Sequence, residues 1–206
     1  MTQPPTLGIS VSDTAVLSET LGRAAGIRLD VGCGRNKQPG WIGIDFQPLE
    51  GVDIVWDLTK FPWPLESNSV LVAQASHVLE HIPPEAPDPR LVGLVKLLLD
   101  KGVISRTELA EYIGEPNPGP LFVRFMDEMW RVMKPGGEFA IVVPHGWSSG
   151  YVQDPTHVNP INEATFYYFS KDHPYRQFYS CKPWTIKYLS YMQSANVEAV
   201  LVKEVE

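Results

Sequence analysis

The run Leu29-Asp30-Val31-Gly32-Cys33-Gly34 constrains this chain more than any other stretch. An acid and two glycines directly behind an apolar run describe a strand that ends in a tight turn, where backbone free of side chains can approach a ligand. Three further runs follow: Trp41 to Asp45, Val52 to Leu58, and Ser69 to Ala73, the last leading into Ser76-His77-Val78-Leu79-Glu80-His81. Each is strand-like and carries polar side chains at its end. Interleaved helical segments imply crossover connections, and the nearly continuous apolar character of the strands implies a mainly parallel sheet covered on both faces.

Further along, the period changes. Phe122, Phe125, Met126, Met129, Trp130 and Met133 recur at helical spacing while Arg124, Asp127, Glu128 and Arg131 fill the rest, which predicts an amphipathic helix over Leu121 to Met133. Lys134-Pro135-Gly136-Gly137 reads as its stop, before a strand over Glu138 to Val143. Trp184 to Ser190 and Val197 to Val205 alternate as strands, joined by Tyr191 to Asn196. Residues 1–26 read as a proline-bearing tail and a short helix near Ser12 to Ala25. Residues 82–120 read as a helical insertion, with one helix over Leu91 to Leu99 and another opened by Ser105 and Glu108 in capping-box spacing. An insertion after the fourth strand lies at the carboxyl ends of the strands, where such sheets bind ligands. A lid and a structural excursion are both open readings of it.

With 206 residues, 44% of them hydrophobic, the chain can bury one sizeable core, so residues 27–206 are expected to form a single domain. A net charge of −7 without any lysine and arginine cluster argues against a nucleic-acid partner. No apolar run approaches bilayer length and no charged-then-apolar leader opens the chain, so no membrane partner is expected. Cys33 and Cys181 stand far apart and in no metal-ligand spacing, which fits a reducing, cytoplasmic setting.

In their order and spacing, the Asp30 to Gly34 turn, Trp41-Ile42-Gly43-Ile44-Asp45, the run ending at Asp57-Leu58, His77-Val78-Leu79-Glu80-His81 and Met133-Lys134-Pro135-Gly136-Gly137-Glu138-Phe139 resemble the class I S-adenosylmethionine-dependent methyltransferases of the Methyltransferase type 11 kind. The resemblance covers Ile27 to Pro144. It implies an α/β, Rossmann-like, doubly wound and mainly parallel sheet in three α/β/α layers, closed by a C-terminal antiparallel strand pair. It also implies S-adenosylmethionine as cofactor. Gly32, Cys33 and Gly34 would then lie against its methionyl part, Asp30 would pair with its ammonium, and Asp45 would accept from both ribose hydroxyls. Asp57, with the backbone at Leu58, would take the adenine. Lys37, Phe46, Ser76 and His77 are expected to border the same site.

Only about ten residues separate Gly34 from Asp45, against ~20 in the dinucleotide fingerprint, so the first helix is expected to be shortened or absent. A nicotinamide fingerprint would moreover need glycine at position 37, where Lys37 stands.

On the acceptor side the resemblance implies a small or medium-sized molecule methylated on oxygen or nitrogen. Transfer from a sulfonium is an in-line displacement at an activated carbon, so it needs alignment and a place for a proton, and its chemistry requires no metal. His77 reads either as a general base or as a hydrogen-bonding cap. A second constellation follows the fifth strand, with His145 and then Asp154-Pro155-Thr156-His157. Its open readings are a base, His157, oriented by Asp154; a metal site that adds His145; and an Asx-turn that shapes the loop. His157 is the first choice of base, and no metal ligand is assigned. Residues 144–183, dense in aromatics such as Phe166, Tyr167, Phe169 and Tyr175, read as a substrate-side cap. The rival functions are a catalytically inactive cofactor-binding protein and a methyltransferase of protein or nucleic acid.

Overall fold

The computed structural model describes residues 26–84, 89–105, 107–108, 120–176, 181–191 and 196–204. Seven strands form one sheet: β1 (Ile27–Val31), β2 (Ile42–Asp45), β3 (Ile54–Val55), β4 (Val70–Ser76), β5 (Met133–Pro144), β6 (Trp184–Tyr191) and β7 (Asn196–Lys203). Their order across the sheet is β3-β2-β1-β4-β5-β7-β6. The first five run parallel, whereas β7 is antiparallel to both β5 and β6. This is the α/β sheet with an antiparallel C-terminal pair that the sequence predicts. Chain direction away from the sheet centre reverses between β1 and β4, so the crevice at their carboxyl ends is the natural ligand position.

The described helices are α1 (Pro89–Asp100), α2 (Leu121–Val132), and the short α3 (Ser149–Val152) and α4 (Glu163–Tyr167), with a 3-10 turn at Leu79–His81. The connection from β1 to β2 is turns and loop only, as its length predicts, and those from β2 to β3 and from β3 to β4 also carry no helix. Ser105 and Glu108 do form the expected capping box, each backbone N–H donating to the other's side chain at 2.8 and 3.1 Å. The remainder of that helix, and the helix expected near Ser12 to Ala25, lie outside the described residues.

The apolar stripe of α2 packs as its period requires, with Phe125, Met126 and Met129 fully buried against a core shared with Leu29, Val31, Phe139 and Ile141. One expectation needs correction: Lys134 to Gly137 do not separate helix from strand. The helix ends at Val132 and β5 begins at Met133, already in extended geometry. Gly136, at φ +79°, lets the strand absorb the register shift against β4, a role for glycine in a bulge rather than in a helix stop.

Two buried ions fasten α2 to its neighbours. The Arg131 guanidinium is bidentate on Glu128, whose Oε1 also accepts from Trp63 N at 2.6 Å, so the loop before β4 is held by a charged pair. Lys203 Nζ, at the end of β7, donates to Asn68 Oδ1, Trp130 O and Met133 O at 2.7–3.0 Å and lies 3.7 Å from the Trp130 ring centroid.

Candidate active site

A cleft of about 530 Å³ opens at the carboxyl ends of β1, β2 and β4. Gly32, Asp45, Phe46, Asp57, Leu58 and Thr59 line one part, and His77, Val78, His81, Ile82, Pro83 and Thr156 the other. Gly32 is dictated twice over. Its φ is +64°, and a Cβ there would stand 2.4 Å from Val78 Cγ2. The turn after β1 is therefore packed directly under the segment that follows β4.

Asp45 ends β2 with its carboxylate facing the cleft and both oxygens tied down. Oδ2 accepts from Gly34 N and Oδ1 from Gln47 N, each at 2.9 Å. Each oxygen keeps a lone pair for a ligand hydroxyl. Phe46, 64% exposed, offers an apolar face beside it. Asp57 folds into an Asx-turn, its Oδ1 accepting from Thr59 N and Thr59 Oγ1, and these bonds hold its carboxyl below the ordinary range. The Leu58 carbonyl already accepts from Trp63 Nε1, leaving the backbone N–H side of that residue for a ligand.

Three of the expected cofactor residues stand behind this wall. Asp30 is buried and its Oδ2 accepts from Gln38 N at 2.9 Å, which pulls the helix-less loop back onto β1. Lys37 forms an ion pair with Asp53 at 2.7 Å, and Asp53 also accepts from Gly43 N. Lys37 thus braces the β2 segment. Cys33 packs with its Sγ over Gly43, and burial, aided by Asp30 and Asp45, pushes its thiol up to about 11.

The acceptor half is built by β4 and the loop after β5. Ser76 is exposed at the strand end and does not line the cleft. His77 does, with its backbone at φ +58°, a conformation that non-glycine residues adopt rarely and usually at functional positions. Its Nδ1 approaches Glu80 Oε1 at 3.3 Å, and that carboxylate raises the His77 pKa above its ordinary 6.5. Glu80 is fully buried, and neither of its carboxylate oxygens accepts a hydrogen bond.

The Asp154 to Asn159 loop closes over it. Val158 N and Asn159 N donate to the Glu80 carbonyl, and Asn159 Nδ2 donates to Leu79 O and Ile82 O. His157 consequently lies under the surface, its side chain 7% exposed, with Nε2 3.6 Å from Asp154 Oδ2 and 4.0 Å from Glu80 Oε1. Asp154 is an Asx-turn as well, accepting from Thr156 N and Oγ1, bonds that hold its carboxyl low.

His145 is not part of this group. It is buried at the end of β5, accepts from Trp147 N and stands 3.9 Å from Glu163 Oε2. The grouping of His145 with Asp154 and His157 is therefore replaced by one of Glu80, His81 and His157. Of residues 144–183, Thr156 is the one described residue that lines the cleft. Phe166 and Phe169 belong to the core, while Tyr167 and Tyr175 are exposed elsewhere.

No protein-family model and no curated protein matches this chain in sequence. Its fold is nevertheless that of solved proteins. A S-adenosylmethionine-dependent methyltransferase from Archaeoglobus fulgidus superposes with a TM-score of 0.51 at 15% identity, covering 93% of each chain. Another, from Methanosarcina mazei, gives a TM-score of 0.50 at 14% identity over 91% of this chain and 97% of its own. The sheet order, with its antiparallel last pair, is thus that of the class I methyltransferase fold.

Proposed function

We propose that this chain binds S-adenosylmethionine in the cleft between Gly32, Asp45 and Asp57 and transfers its methyl group to oxygen or nitrogen of a small or medium-sized acceptor. The observation that carries this reading is Asp45: a buried carboxylate fixed by two backbone amides, facing a cleft it shares with Asp57 and the exposed Phe46. That arrangement suits a ribose diol and a flat base, and it sits at the switch point of a class I methyltransferase sheet. The cleft volume is within the range of small-molecule sites.

Held by Asp45, Asp57 and the Gly32 turn, S-adenosylmethionine would supply an activated methyl group, and the chain's own task would be to align the acceptor and take its proton. His77 is the base we propose, since its ring faces the cleft and Glu80 behind it stabilises the protonated form. His157 and Asp154 then act from behind, shaping the floor of the acceptor side. No described helix is long and apolar enough to cross a membrane. Both described cysteines are free, in keeping with the cytoplasmic setting we propose.

Calorimetry with S-adenosylmethionine, S-adenosylhomocysteine and NAD tests the reading. Micromolar binding of the two adenosyl ligands with none of NAD is expected. Tight NAD binding, or no adenosyl ligand bound, would overturn it. A screen of cell metabolites for label taken from methyl-labelled cofactor then identifies the acceptor.

A further inference from the structure

We propose that Glu80, His81 and His157 form a binding site for one divalent transition-metal ion of the zinc or iron(II) kind, at the floor of the acceptor side of the cleft. One nitrogen from each histidine and one carboxylate oxygen of Glu80 lie within 4.8 Å of one another. Two histidines and a carboxylate are the donor set that such ions take when they keep further positions open.

The protons account for the rest. His157 Nδ1 lies 2.9 Å from the Tyr151 carbonyl, which can only accept, so Nδ1 carries the hydrogen and Nε2 keeps its lone pair. Thr156 Oγ1 donates its single proton to Asp154 Oδ1, so it must accept from His81 Nδ1 at 3.1 Å. His81 is then the same tautomer, with Nε2 free. Glu80 adds a carboxylate with no exposed surface, whose one nearby donor is His77 Nδ1 at 3.3 Å from Oε1, a long contact that leaves Oε2 unpartnered. A buried carboxylate so weakly partnered, facing two imidazole lone pairs, is stabilised by a cation placed among them. The bonds from each ring's other nitrogen to a carbonyl or hydroxyl are those that orient metal-bound histidines.

For Zn–N and Zn–O bonds near 2.1 Å, tetrahedral ligand atoms lie about 3.4 Å apart, so His157 Nε2 and Glu80 Oε1, now at 4.0 Å, close by about half an ångström on binding. His81 and Thr156 line the cleft, so the open positions of the ion face it. There the ion would hold an acceptor's hydroxyl oxygen and favour its deprotonated form, which selects oxygen over nitrogen as the methylated atom. This last step rests on the methyl-transfer reading; ion binding does not.

The test uses chelator-treated, metal-free protein titrated with zinc chloride and, separately, cobalt(II) chloride, reading bound ion per chain and the visible absorption of cobalt. One ion per chain is expected, with a cobalt band that shifts when nitrogen ligands are removed. His157→Ala and Glu80→Gln should each weaken uptake by about 100-fold or more, while His145→Ala leaves it unchanged. S-adenosylhomocysteine calorimetry on every variant reports whether the fold and the cofactor cleft persist. No bound ion, or equal uptake by His157→Ala with S-adenosylhomocysteine binding intact, overturns the site. Ion uptake that follows the expected pattern in a protein that binds no adenosyl ligand supports the metal site and overturns the methyltransferase reading instead.

Discussion

The Nδ1 of His77 stands 3.3 Å from Oε1 of Glu80, a carboxylate with no exposed surface. One imidazole therefore reaches from the cleft to a buried charge, and four residues of chain, bent by a left-handed backbone at His77, carry both partners.

Replacing His77 tests this relationship. Asparagine tolerates the left-handed conformation, so His77→Asn should fold with an unchanged melting temperature and bind S-adenosylhomocysteine as before. Turnover on the acceptor found by the label screen should fall on the order of 10²–10⁴-fold. Near-normal turnover would exclude His77 as the base.

Asp45→Ala should weaken S-adenosylmethionine and S-adenosylhomocysteine equally, by roughly 10- to 100-fold, because the ribose loses a charged acceptor worth about 1.5–3 kcal/mol. Calorimetry on both ligands reads the result. Unequal effects would place the carboxylate near the sulfur rather than the ribose.

Gly32→Ala combines a left-handed φ with a Cβ 2.4 Å from Val78 Cγ2. It should lower stability by about 1–3 kcal/mol in urea denaturation. Adding Val78→Ala removes the collision but not the backbone strain, so the double variant should recover part of that loss. Full recovery would show that the turn itself carries no strain.

Arg131→Ala leaves the buried Glu128 carboxylate without its bidentate partner. The Arg131 side chain is partly exposed, so the expected loss is below the ~3–5 kcal/mol of breaking a fully buried pair. Glu128→Gln with Arg131→Ala should be milder than Arg131→Ala alone, as a urea-denaturation cycle would reveal.

The Cys33 thiol, pushed up to about 11 by burial and its acidic neighbours, should resist alkylation. At pH 8 its thiolate fraction is on the order of a hundredfold below that of an ordinary thiol, and its reaction with iodoacetamide in a Cys181→Ser background should be slower by at least that factor. The rate should climb as pH rises toward 11, since only the deprotonated form reacts. Fast alkylation at pH 8 would contradict the packing over Gly43.

What the sequence discloses and what it hides divide along contact range. Gly32, Asp45 and Asp57 are legible as cleft-lining positions because each stands at or just past the carboxyl end of a strand, and the short count from Gly34 to Asp45 announces the loop without a helix. Lys37 reads as a ligand contact from its place beside the glycine turn, yet its partner Asp53 is sixteen residues away and on another segment. Glu80 carries no assigned role in the sequence, where it merely continues the segment after His77. Its place on the acceptor side depends on Val158 and Asn159, nearly eighty residues on, which hydrogen-bond its carbonyl. The same loop buries the His157 side chain while His77 lines the cleft, which is why we propose His77 ahead of His157 as the base. No local pattern encodes such a closure.

The loop from Gly32 to Asp45 is tied at four points: Gln38 N to Asp30, Gly34 N to Asp45, and both Lys37 and Gly43 N to Asp53. Three carboxylates hold in place what a helix holds by its own backbone bonds. The ordering entropy of this loop is lost when the chain folds, not when a ligand arrives. A nucleoside docking here meets a rigid, preorganised surface, so its half of the cleft works as a fixed seat while any adjustment to different acceptors falls to the opposite wall.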